Sequence, residues 1–154
     1  MDRKIYRNAI TTEDCNISEK VGMEKSVLLK DFSDPIINAL LELIREDFNF
    51  TIKQESYIRI ETRQNGHNWH IDRGTYDSKV EGHMTWCQLG ISILLSDESE
   101  FTGGDTYYAD MDFSHEENKI KSDRRQYDMC VHTSDVWHMV EPHEGSRTVL
   151  LMFI

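Results

Sequence analysis

Across residues 85–95 the apolar side chains recur with a period of two. Cys87, Leu89, Ile91, Ile93 and Leu95 hold the odd positions, and Trp86, Gln88, Gly90, Ser92 and Leu94 the even ones. No helix keeps such a set on one side, whereas successive side chains of a strand point to opposite faces. The odd face therefore packs on a core. The even face lines something that tolerates polarity, as the interior of a barrel around a small polar ligand would. Shorter runs at 56–61, 69–72, 105–108, 129–132, 137–140 and 147–154, separated by turn residues, read as further strands of an antiparallel sheet or barrel.

One helix stands out before them. Asp34 is placed as its N-cap and Pro35 at its first position, followed at helical spacing by Ile36, Ile37, Leu40, Leu41, Ile44 and Phe48. Its polar residues fall largely between these, so it should lay one apolar face on something flat. Residues 1–31 carry little pattern beyond a short strand at 26–30. A chain of 154 residues is long enough for one core and short for two. The expected organisation is a single domain, with residues 1–50 a lead-in and supporting helix and 51–154 the β core.

Composition narrows the function. Seventeen basic against 28 acidic residues leave a formal charge of −11, which repels phosphate backbones and argues against nucleic-acid binding. The longest apolar run, 149–154, is far short of the roughly 20 residues of a membrane-spanning helix, so no membrane partner is expected. Cys15, Cys87 and Cys130 are odd in number and form no CxxC pair, and the first residues have no secretory apolar stretch. Reduced thiols and a cytoplasmic location are the expectation.

Three segments could carry chemistry. In Trp69-His70-Ile71-Asp72 the i and i+2 side chains of an extended strand share a face about 6 to 7 Å apart, close enough to converge on one metal ion. About 0.6 His-x-Asp pairs are expected by chance in this composition, so alone the motif is weak. In 136–147, Pro142 and Gly145 make a tight connection that leaves His138 at the end of one strand near Arg147 at the head of the next. An inward Arg147 needs an anion, and a carboxylate suits its fork. Phe101-Thr102-Gly103-Gly104-Asp105 reads as a turn entering a strand between these two segments.

Together they give His-x-Asp, a distant His, and an Arg nine residues further on. This is a two-His-one-carboxylate set with a guanidinium poised for a second carboxylate. The pattern resembles the 2-oxoglutarate and Fe(II)-dependent oxygenases, in particular their prolyl-4-hydroxylase-like branch. The matching pieces are His70-Ile71-Asp72, Leu94-Leu95-Ser96, Phe101-Thr102-Gly103-Gly104-Asp105, and His138-Met139-Val140-Glu141-Pro142 through Arg147, over residues 54–154. The resemblance implies a mainly β, α+β fold: a double-stranded β-helix, or jelly-roll, supported by one or more N-terminal helices. It implies Fe(II) held by His70, Asp72 and His138, with Arg147 gripping the distal carboxylate of the cosubstrate 2-oxoglutarate. O2 would be the oxidant, succinate and CO2 the co-products, and ascorbate a stimulant. Relatives add a hydroxyl donor to that grip. Leu94 stands at its usual position here, so Tyr57 or Ser92 is assigned the role.

The function this implies is hydroxylation of an unactivated C–H bond in a peptide or small molecule, a prolyl or other amino-acid side chain being the first guess. Two alternatives belong to other classes: a cupin-like metal-binding jelly-roll without oxygenase activity, and a nucleic-acid dealkylase, which the acidic charge disfavours. His138 is preferred to His132 and His143 because it alone has the offset to Arg147. His67 is out of phase with His70 on a strand, with Gly66 and Asn68 making a loop there. Substrate choice is expected from the loops at 73–82 and 110–126, in which no signature is readable.

Overall fold

Helix α2 (Pro35–Arg45) begins at the expected cap: Asp34 Oδ1 accepts from the backbone N–H of Ile36 at 2.9 Å and of Ile37 at 3.2 Å. Those bonds satisfy two of the amides a helix start leaves unpaired. Asp34 Oδ2 also takes the ammonium of Lys20 at 2.7 Å, which ties α2 to the short helix α1 (Ile17–Val21). The computed structural model describes residues 1–12, 16–62, 65–74, 84–109 and 115–154. Cys15, most of the 73–82 loop and the start of the 110–126 loop lie outside the described residues.

The strands are β1 (Arg3–Tyr6), β2 (Ser26–Leu28), β3 (Tyr57–Thr62), β4 (His67–His70), β5 (Leu89–Leu94), β6 (Phe101–Gly103), β7 (Thr106–Ala109), β8 (Ile120–Lys121), β9 (Met129–Thr133), β10 (Trp137–Val140), β11 (His143–Gly145) and β12 (Thr148–Phe153). A one-turn helix α3 (His115–Asn118) precedes β8. Six strands form one sheet in the order β1-β9-β5-β12-β3-β2, four form a second as β4-β10-β7-β8, and β11 pairs with β6. Every pairing between these strands is antiparallel. Two facing antiparallel sheets, with α2 packed on the larger one, make the jelly-roll architecture expected from the sequence.

The period-two reading of 85–95 explains how the larger sheet works. Leu89, Ile91 and Ile93 join Ile58 and Ile60 of β3, Met129 and Val131 of β9, and Leu150 and Met152 of β12 in one apolar cluster. Onto that face α2 lays Ile37, Leu40 and Ile44, all buried; each such side chain contributes roughly 1.5 to 3 kcal/mol. The opposite face, carrying Gly90, Ser92, Cys130 and His132, turns toward the smaller sheet.

Some boundaries differ from expectation. β5 starts only at Leu89, because Cys87 N–H bonds back to the Met84 carbonyl at 2.9 Å and closes a turn. β4 ends at His70, and Asp72 sits in a turn in which Gly74 N–H reaches the Ile71 carbonyl at 3.1 Å. The lead-in also does more than support: β1 pairs with β9 and β2 with β3, so residues before α2 supply both edges of the larger sheet. His67 opens β4 rather than lying in a loop. His138 faces His70 while Val140 faces His67, so three residues of β4 span two of β10. This bulge brings the His67 and His70 rings to 5.4 Å, although an even pleat would part them.

Candidate active site

The two sheets enclose a cavity of about 410 Å³, lined from both sides. At one end β4, its following turn and β10 bring His70, Asp72 and His138 together, with one ligand atom from each lying within 4.8 Å of the others. Asp72 Oδ1 is 3.6 Å from His70 Nε2 and 3.4 Å from His138 Nε2. Ligand atoms on a metal with bonds of about 2.1 Å at right angles stand about 3 Å apart, so the two Asp72 spacings are within a few tenths of an ångström of a bound set, while the widest spacing, up to 4.8 Å, has further to close. The rings are oriented for it. His70 Nδ1 lies 2.7 Å from the Asn68 carbonyl and His138 Nδ1 2.8 Å from the Val136 carbonyl. Each carbonyl holds a proton on Nδ1 and so makes Nε2 the nitrogen a metal would take.

A third imidazole belongs to this cluster. His132 Nε2 sits 2.6 Å from Asp72 Oδ2, and its ring centroid is 4.3 Å from that of His138. Burial would push the Asp72 carboxyl up, but charge and hydrogen bonding from His132, then from His138, overcome it and hold the group well below the usual carboxylate range. Asp72 is thus an ionised ligand with one oxygen engaged and one offered. Gly90 makes the arrangement fit: a Cβ there would run into both Asp72 Oδ2 and His132 Nε2. Sequence reasoning set His132 aside in favour of His138. Its signal was available in the alternation of β9, since apolar Met129 and Val131 turn Cys130 and His132 to the cavity.

The other end of the cavity is cationic. Arg147, at the head of β12, is only 7% exposed, and among the described residues its guanidinium has no carboxylate within 4.0 Å; its Nε is buried without a hydrogen-bond partner. Burial first, then the nearby charge of Arg124, lowers its pKa to about 10, still protonated at neutral pH. Gly103 and Gly104 both take positive φ, +78° and +72°, and a Cβ on Gly104 would stand 2.8 Å from Arg147 Cδ. The Gly-Gly turn is therefore the floor under this arginine as well as a hairpin entry. His143 lies beside it, buried, its pKa lowered by desolvation and by Arg147.

Strand register measures the distance between the two ends. Gly90 pairs with His132 on one side and with Phe153 on the other, and Phe153 pairs with Tyr57. Ser92 stands one pleat repeat further, facing Cys130 and Leu151. Two residues of strand are about 7 Å. Tyr57 is therefore in the row of the imidazoles, while Arg147 precedes Thr148, which pairs with Thr62. The structure does not bring Tyr57 to Arg147. Its hydroxyl instead meets Met84 Sδ at 3.5 Å, and burial pushes it up to about 12. Ser92 does reach the cationic end, where its hydroxyl takes a hydrogen bond from Arg124.

No protein-family model matches the sequence, and neither does any curated protein. Solved structures do resemble the fold. A prolyl-4-hydroxylase from Pseudomonas putida aligns at TM-score 0.63 with 11% identity, over 99% of this chain and 85% of that one. A 2OG-Fe(II) oxygenase family oxidoreductase from Burkholderia pseudomallei aligns at 0.59 with 12% identity, over 99% and 83%. A prolyl hydroxylase from Trichoplax adhaerens, in complex with a hypoxia inducible factor oxygen degradation domain peptide fragment, aligns at 0.59 with 11% identity, over 99% and 82%. At such identities the likeness is one of architecture: this chain has the double-stranded β-helix fold of the 2-oxoglutarate and Fe(II) oxygenases.

Proposed function

We propose that the chain is an Fe(II)- and 2-oxoglutarate-dependent dioxygenase that hydroxylates an unactivated C–H bond, with a prolyl or other amino-acid side chain as its substrate class. The observation that carries this reading is the buried Arg147, whose Nε has no hydrogen-bond partner and whose guanidinium has no carboxylate within 4.0 Å among the described residues, in the same cavity as His70, Asp72 and His138. A buried charge with no carboxylate in contact is costly, and Asp105 acts on Arg147 only from further off, so that end of the cavity suits an anion. The terminal carbons of an extended five-carbon diacid lie about 5 Å apart. With a metal–ligand bond of about 2 Å added, such an acid spans the pleat repeat from the imidazole row to Ser92, the row to which the Arg147 side chain would reach back from beyond Val149.

His70 and His138 would present Nε2 and Asp72 would present Oδ1 to Fe(II). The iron, when bound, supplies the activation of O2 that is coupled to decarboxylation of 2-oxoglutarate to succinate. The chain's own residues hold reactants in place. Arg147 takes the distal carboxylate and Ser92 contributes a hydroxyl to it. His132 fixes the Asp72 carboxylate, and Val149, Leu151 and Phe153 of β12 line the cavity and restrict water. The resemblance of the sequence pieces to the prolyl-4-hydroxylase-like branch supports a peptidyl or amino-acid substrate.

The test is anaerobic addition of Fe(II), ascorbate and 2-oxoglutarate, followed by air with proline-containing peptides and free amino acids. The reading expects a weak visible charge-transfer band, then succinate and a substrate gain of one oxygen atom. Arg147→Ala should keep metal binding and lose 2-oxoglutarate. Metal binding without any 2-oxoglutarate binding in the unaltered protein would favour the cupin-like alternative.

A further inference from the structure

Arg124 was not singled out by the sequence, yet its side chain enters the cavity beside Arg147. It lies between β8 and β9. One terminal nitrogen, Nη1, donates to Ser92 Oγ on β5 of the six-stranded sheet, and the other, Nη2, donates to Thr106 Oγ1 on β7 of the four-stranded sheet at 3.4 Å. The guanidinium is therefore held from both walls, at the row of Ser92. Arg124 and Arg147 also share an adjoining recess of about 210 Å³.

Charge accounting makes this placement unusual. The chain has 28 acidic and 17 basic residues, and several arginines find carboxylates: Arg7 pairs with Asp128 and Asp123, Arg45 with Glu42, and Arg59 with Glu61 and Glu24, while Arg73 and Arg125 form no such pair among the described residues and do not line the cavity. Among the described residues, Arg124 and Arg147 have none within 4.0 Å, although Arg124 stands close enough for its charge to lower the pKa of Arg147, against a longer-range pull from Asp105. Two like charges on one cavity wall are neutralised most simply by an anion between them.

We propose that Arg124 is the second cation of the distal-carboxylate subsite, completing with Arg147 and Ser92 a clamp that selects a cosubstrate with an anionic far end. The proposal rests on the function proposed above. Arg124 spends two of its five N–H donors on Ser92 and Thr106, which leaves three for an anion. Because Ser92 Oγ accepts from Arg124, its own proton is free to point at the same carboxylate. Arg124 thus both contributes charge and orients the hydroxyl. The competing reading is that Arg124 only ties the two sheets together.

Calorimetric titration of the Mn(II)-loaded protein with 2-oxoglutarate and with 2-oxopentanoate, which lacks the distal carboxylate, separates the two. Arg124→Gln should weaken 2-oxoglutarate about tenfold to a hundredfold, the range of one charge-assisted hydrogen-bonded contact, and leave 2-oxopentanoate unchanged. Arg124→Lys should recover part of the loss. Each variant carries its own control in the second acid, so a partly misfolded sample cannot mimic the result. Equal weakening of both acids, or no weakening of either while Arg147→Gln abolishes the preference, would overturn the clamp and leave the oxygenase reading standing. No 2-oxoglutarate binding by the unaltered Mn(II) protein would overturn both.

Discussion

Asp72 Oδ2 is 2.6 Å from His132 Nε2, so one carboxylate oxygen is committed inside the protein before any metal arrives. Asp72 presents Oδ1 alone to His70 and His138, which favours single-oxygen ligation and keeps positions free for other ligands. His132→Ala should weaken Mn(II) or Fe(II) binding by about tenfold to a hundredfold, the usual cost of losing such a supporting partner. His132→Gln, which restores a donor, should recover part of it. Chelator-competition titration reads both.

Gly90 supports the same contact by having no side chain. Gly90→Ala drives a methyl group into Asp72 Oδ2 and His132 Nε2 near the start of β5. Overpacking of this kind costs about 1 to 3 kcal/mol. The expected result is loss of metal binding beyond the loss of stability, measured by metal titration beside urea unfolding.

Tyr57 lies in the imidazole row, one strand over from Phe153. Tyr57→Phe should therefore leave the 2-oxoglutarate dissociation constant within about twofold, while Ser92→Ala should raise it by up to about tenfold, one neutral hydrogen bond's worth. Calorimetry on the two variants decides between the hydroxyls that the sequence left open.

Asp34 gives a pH-dependent prediction away from the cavity. Its burial raises its pKa, but the Lys20 ammonium and the amides of Ile37 and Ile36 outweigh that and lower it in the folded state. A depressed folded pKa contributes stability above the unfolded value of about 3.9, and that contribution fades as pH falls through the lowered folded value. Asp34→Ala should cost about 1 to 2 kcal/mol at pH 7 in urea unfolding, and the gap to the unaltered protein should shrink below pH 4.

Much of this arrangement can be read from residue order. The α2 cap is local chemistry, and the two faces of β5 follow from a period that only a strand satisfies. His70, Asp72, His138 and Arg147 stand out because few unrelated folds need those types in that sequence. The sequence does not reveal what depends on cross-strand register. β1 is too short, with only Tyr6 fully buried, to show a pattern. The β4 bulge that turns His67 beside His70 is set by pairing with β10. Arg124 sits in a patternless stretch, and only the approach of Ser92 and Thr106 from opposite sheets shows where its charge goes.

The spacing between the Gly90 and Ser92 rows is a property of the backbone rather than of any side chain. If the cavity works as proposed, the pleat repeat sets the coarse reach that an oxo-diacid must have, and the arginine side chains that enter the cavity set the rest. Changing a side chain would then alter how tightly an acid is held. A register slip moves a strand by whole residues of about 3.3 Å and turns its side chains to the other face, so adjustment to an acid one carbon longer or shorter would fall to the arms of Arg124 and Arg147 rather than to the sheet.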